Sequence, residues 1–118
     1  MKPRIKYIHS PDVHDLATYQ PEVIDDFGIL FQIIAGPDGA PGEESFDLVV
    51  CSPKWITRVV ETQKILIGRH HLIVEGYDYI RVRAFLEKQC EDITGDSWEE
   101  IAAKLGQIGK WEFEDYRK

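Results

Sequence analysis

Phe27-Gly28-Ile29-Leu30-Phe31-Gln32-Ile33-Ile34-Ala35, then Gly36-Pro37-Asp38-Gly39-Ala40-Pro41-Gly42, then Ser45-Phe46-Asp47-Leu48-Val49-Val50-Cys51: these three consecutive stretches decide the fold. The first is apolar on both alternating faces, Phe27, Ile29, Phe31 and Ile33 against Leu30 and Ile34, as in a central strand covered on two sides. The second joins glycines to prolines, which supply the positive-φ and fixed-φ positions of a loop. The third sets Phe46, Leu48 and Val50 on one face of another strand. The order predicts a hairpin with the core around its first strand.

Working outward toward the amino terminus, Arg4 to His9 alternates, with Ile5 and Tyr7 on one side and Arg4 and Lys6 on the other, the period of a half-buried strand. Ser10-Pro11 stops it and also carries a helix-start signal, so a short helix is expected from Pro11 to about Tyr19, closed by Pro21. On the carboxy side, Ser52-Pro53 repeats that signal. Trp55, Ile56, Val59 and Val60 then recur at helical spacing, to an end near Lys64.

His71 to Glu75 reads as a short strand, and beyond Gly76 the residues Val82, Phe85, Leu86, Cys90 and Ile93 share a helical face that directs Cys90 inward. Ser97-Trp98-Glu99-Glu100 is a capping box, in which Ser97 caps the third amide and Glu100 bonds back to the cap. Trp98, Ile101, Leu105 and Ile108 form the buried stripe of that helix. Gly106 and Gly109 permit its termination, and Lys110 to Tyr116 alternates aromatic with acidic as a final strand with one charged face. The expected fold class is α+β: one domain over residues 1–118, a mainly antiparallel β-sheet packed against two to three α-helices.

A chain of 118 residues buries roughly two-thirds of its unfolded surface, enough for one core without a metal or disulfide. With 43% hydrophobic residues it is too apolar to remain disordered, and its longest apolar runs fall far short of the ~18 residues of a membrane span. Met-Lys-Pro-Arg-Ile-Lys offers no apolar signal core, so a cytoplasmic location is expected. Cys51 and Cys90 are spaced for neither a zinc site nor a disulfide framework and read as buried free thiols.

The net charge of −7 is unevenly spread, because residues 7–53 carry nine acids and no Lys or Arg. Such a block suggests a field that attracts something positive, and it excludes nucleic acid as a direct ligand, since phosphate binding needs clustered cations. The competing account is that folding brings Lys or Arg from elsewhere beside these carboxylates.

Chemistry is sparse. His9 and His14 flank Asp12, yet their spacing matches no zinc signature. His70 and His71 begin a strand, where neighbours point to opposite faces, so they are expected not to serve one site; one of the two should be hydrogen-bonded inside. Cys51 precedes a helix start that could lower a thiol pKa, but it ends an apolar strand with no glycine-rich oxyanion element around it. The loop after Ala35 lacks the Gly-Lys-Ser/Thr ending of a phosphate loop. Trp55 and Trp98 fall on apolar helix faces, whereas Trp111 lies between Lys110 and Glu112. No catalytic residue, cofactor site or metal site is assigned.

One further pattern runs through nearly the whole chain: Ser10-Pro11-Asp12, Asp25-Asp26-Phe27, Glu44-Ser45-Phe46-Asp47, Cys51-Ser52-Pro53-Lys54-Trp55, Gly68-Arg69-His70-His71-Leu72-Ile73-Val74 and Gly109-Lys110-Trp111-Glu112-Phe113-Glu114-Asp115-Tyr116. In this order and spacing the chain resembles the immunity protein family numbered eight of bacterial polymorphic toxin systems, of the contact-dependent inhibition type. The resemblance implies a small α+β protein, without catalytic residues, that binds and neutralises a cognate toxin domain, often a nuclease. A nuclease cleft is cationic, so an acidic protein can occupy it as a phosphate mimic. The expected partner-binding residues are Asp25, Asp26, Asp12 and Asp15, then Glu112, Glu114 and Asp115 of the tail. The alternative is a small-ligand-binding or regulatory accessory domain whose acid serves solubility.

Overall fold

The computed structural model describes residues 1–114. Its strands are β1 (Pro3–His9), β2 (Gly28–Pro37), β3 (Glu44–Cys51), β4 (His71–Ile73) and β5 (Lys110–Trp111), and its helices α1 (Pro53–Gln63), α2 (Tyr79–Glu91) and α3 (Trp98–Leu105). The predicted hairpin is present, with β2 and β3 antiparallel from Gly28 opposite Cys51 to Ala35 opposite Glu44. Gly36 is required beside this loop, because a Cβ there would collide with the carbonyl oxygen of Gly42.

β1 pairs antiparallel with β2 through an irregularity between Ile5 and Tyr7. That extra residue breaks the simple alternation: Ile5 and Ile8 turn inward, while Tyr7 is left half-exposed on the other face. The far edge of β3 is shared by two short strands. β4 lies parallel to Val49–Cys51, reached through the α1 crossover, and β5 lies antiparallel to Phe46 and Asp47. Three of the four pairings are antiparallel, so the α+β expectation holds.

One face of the sheet carries the core. Ile29, Phe31 and Ile33 of β2 and Phe46, Leu48 and Val50 of β3 pack with Leu86 of α2 and Ile101 of α3 among the buried residues. Phe31, Val50 and Ile101 are fully buried, and Cys90 lies inward as its helical position predicts. Phe85 does not: the inward stripe of α2 runs Val82, Leu86, Cys90 at four-residue steps, which leaves Phe85 46% exposed. On the opposite face, the indole of Trp55 packs so closely on Gly28 that a Cβ there would overlap it, so α1 is seated on this end of the sheet.

The helix signals are realised with two differences. Ser52 caps α1 and Ser97 caps α3, as expected. The Glu100 carboxylate, however, accepts from the amide of Asp96 at 2.9 Å, one residue before the cap. The short helix expected from Pro11 to Tyr19 is absent; the segment forms turns, with one bond from Tyr19 N–H to Asp15 C=O at 2.9 Å. Side chains capture the local amides instead: Ser10 Oγ accepts from Asp12 N–H and Asp15 Oδ1 from Ala17 N–H. Short polar side chains that bond their own backbone compete with helix in this way. Buried Leu16 and the Tyr77 hydroxyl, which donates to Leu16 C=O at 2.5 Å, anchor the segment. The last strand is also shorter than expected: it ends at Trp111, and Glu114 N–H turns back to Trp111 C=O. Asp115 and Tyr116 lie outside the described residues.

Ser52 is completely buried, and its Oγ accepts from Phe27 N–H at 3.0 Å and from Trp55 N–H at 3.4 Å. Ser52→Ala leaves both amides unsatisfied and should cost about 1–3 kcal/mol, read as a lower midpoint in urea with unchanged slope.

Candidate functional site

The carboxylates singled out by sequence fall into two groups at opposite ends of β3. Asp25 and Asp26 sit beside the start of α1, next to the strand end at Cys51 and Ser52, where Ser52 N–H donates to Phe27 C=O. Glu112 and Glu114 sit by the other end: Glu112 Oε1 accepts from Ser45 N–H at 2.8 Å, and Glu112 N–H donates to Ser45 C=O. Seven strand residues separate the two ends, roughly 20 Å.

Folding brings cations to both groups. Lys54 Nζ lies 2.8 Å from Asp25 Oδ2, and the Arg58 guanidinium meets Asp26 through Nε at 3.1 Å and through a second nitrogen at 2.7 Å. Lys54 and Arg58 are one helical turn apart on α1, which suits them to neighbouring carboxylates. The Lys54 ammonium holds Asp25 below the usual carboxylate range, and Asp25 in turn raises Lys54. At the other end, Arg69 reaches Glu114 at 3.4 Å. The α1–β4 crossover therefore supplies the cations for both acidic groups.

Asp12 and Asp15 are used differently. Asp12 Oδ2 accepts from Leu30 N–H at 3.0 Å and Asp15 from Ala17 N–H, each beside solvent. Asp115 lies outside the described residues. Other acids, among them Glu22, Glu43, Glu75, Glu91, Asp92, Asp96 and Glu99, make no ion pair among the described residues, so a negative field remains.

The histidines do not assemble a reactive site. His9 packs against Tyr7 with ring centroids 5.8 Å apart. His71 Nδ1 is 3.1 Å from the carbonyls of Gly68 and Arg69, and its ring lies 6.1 Å from that of Trp55. His70 has a left-handed backbone (φ 63°) and a largely buried ring whose two nitrogens find no hydrogen bond, with Glu114 at 3.8 Å. The hydrogen-bonded member of the pair is thus the more exposed His71, reversing the sequence expectation. The positive φ explains it, because a strand-like turn inward is not available to His70. No group of three His, Cys, Asp or Glu among the described residues could hold a metal ion.

Neither thiol is poised as a nucleophile. Burial pushes Cys51 and Cys90 each up to about 11. The enclosed cavity beside Cys90, lined by Ile5, Ile33, Phe46, Leu86 and Leu105 among others, measures about 10 Å³, too small for an organic ligand. Larger hollows are open grooves; one of about 720 Å³ runs past Ile24, the Asp25–Lys54 pair, Gly76 and Tyr77. Among the described residues no helix is long and apolar enough to cross a membrane.

Sequence reasoning missed an apolar surface on the crossover. No residue of α1 is buried, although its apolar residues are helically spaced. After Lys64, which ends α1 in a left-handed conformation, Ile65 and Ile67 stand 80% and 78% exposed around half-buried Leu66, and Ile73 of β4 is 56% exposed. The available signal was the run Ile65-Leu66-Ile67 between a helix end and Gly68, apolar where a loop should be polar.

A family model described as Immunity protein 8 matches residues 3–116. No curated protein and no solved structure matches the chain.

Two outcomes follow from the protonation chemistry. A thiol reagent at pH 8 should label neither cysteine in the native protein and both in denaturant, and the thiols' contribution to stability should be full below the ordinary thiol range and decline as pH rises toward 11. The Asp25 carboxyl, followed by NMR, should titrate below the usual range; its contribution is present above that range and lost as pH falls through it, and Lys54→Ala should return it to ordinary values.

Proposed function

The chain belongs to the immunity protein 8 family, and on that premise we propose that it binds and neutralises a cognate bacterial toxin domain by stoichiometric protein–protein inhibition in the cytoplasm. The near-complete span of the family match, residues 3–116, carries this reading. The buried thiols and dispersed histidines are consistent with a binder that performs no catalysis of its own.

The proposed toxin is a basic nuclease. The chain's net charge of −7 complements a phosphate-binding cleft, and such complementarity raises encounter rates by about 10- to 1,000-fold at low salt. The proposed contacts are Asp12, Asp15, Asp25, Asp26, Glu112, Glu114 and Asp115. Asp12, Asp15 and Glu112 each spend one carboxylate oxygen on a backbone amide and can offer the other to a cation. Asp25, Asp26 and Glu114 already hold Lys54, Arg58 and Arg69, so a toxin cation there joins an ordered network.

Co-expression with the carboxy-terminal domain encoded immediately upstream tests the role directly. Cells carrying both should grow, cells carrying that domain alone should die, and rescue should require a 1:1 complex. In stopped-flow mixing, charge reversal at Asp25, Asp26, Glu112 and Glu114 should lower the association rate at least about 10-fold at low salt and flatten its salt dependence. Unchanged rate and affinity would remove the electrostatic part of the proposal.

A further inference from the structure

We propose that the toxin is gripped by an apolar anchor on the α1–β4 crossover, centred on Ile65 and Ile67 and continued by Ile73, lying between the two acidic groups. The inference rests on the immunity reading and specifies where its affinity resides.

Three observations carry it. Between Val60 and Ile73 the chain leaves four large aliphatic side chains 39–80% exposed. Together they present roughly 500 Å² of apolar surface, against ~800 Å² contributed by each side of a standard interface and more than isolated exposed residues need. Secondly, core packing does not account for Ile65 and Ile67. The left-handed Lys64 cap turns the chain out of α1, and Leu66 between them is the half-buried member. Thirdly, the charges flanking this surface are matched within the chain, Asp25 by Lys54, Asp26 by Arg58 and Glu114 by Arg69. An apolar centre inside a rim of satisfied polar groups is the layout of a binding hot spot.

Charge selects the occupant. A second copy would bring another −7 to a molecule already carrying −7, so self-association is opposed by the field of the whole chain. A cationic toxin reverses that sign: carboxylates without a basic partner steer it, and the isoleucines then enter an apolar hollow ringed by its basic residues.

The test uses the full chain and the upstream-encoded toxin domain, with Ile65→Ser/Ile67→Ser and, as a control elsewhere on the surface, Ile80→Ser, whose parent side chain is 82% exposed on α2. All three sites face solvent, so the variants should keep the wild-type melting temperature. The double variant should bind the toxin about 100-fold or more weakly, chiefly through faster dissociation, and fail to protect cells, while Ile80→Ser binds as wild type. Wild-type affinity in the double variant, with protection intact, overturns the anchor and leaves the immunity reading standing. A wild-type chain that neither binds nor protects overturns both. Sedimentation of the toxin-free protein as a dimer that the double variant dissolves would assign the surface to a second copy, and overturns the inference as well.

Discussion

A hydroxyl with no access to water holds three elements in register. Ser52 receives the Phe27 amide at the start of β2 and the Trp55 amide in the first turn of α1, while its own backbone follows β3 directly. Pro53 fits the first helical position, so the strand passes into the helix without a loop. Because α1 is otherwise unburied, its direction depends on this joint and on the Trp55 indole resting on Gly28. The direction of α1 sets where Lys54 and Arg58 meet the acids and where the chain emerges at Ile65.

Much of this was legible in the sequence, for physical reasons that differ by element. The β2–β3 hairpin announced itself because its apolar residues alternate with almost no interruption and its loop contains residues that can do little else. The capping serines were legible because a helix start needs an acceptor at one position. The Pro11–Tyr19 segment misled because Ser-Pro marks a turn as readily as a cap, and only tertiary partners such as the Tyr77 hydroxyl decide between them. The β1 irregularity was hidden for a similar reason: one inserted residue swaps the face of everything before it, and nothing in a local pattern reports it.

The candidate site was legible in its charge and opaque in its pairing. Counting acids identified Asp25, Asp26 and Glu114, but their cations come from residues 28 to 45 positions away, which only the crossover brings near. The result is a surface with less free charge at the expected points than composition suggests, and more apolar area between them. For a protein that binds another, such an arrangement divides labour: distributed unpaired acids govern approach, ordered ion pairs set orientation, and the aliphatic centre governs residence time.

The shared edge of β3 bears on how the molecule is made. β4 occupies one half of that edge and β5 the other, and β5 joins Phe46 and Asp47 to residues more than sixty positions later. During synthesis the lower half of the strand must wait, uncovered, until translation has passed Trp111. A nascent polypeptide in that interval displays unsatisfied peptide groups beside fully apolar side chains, and is therefore most open to chaperones or proteases just before its last pairing closes.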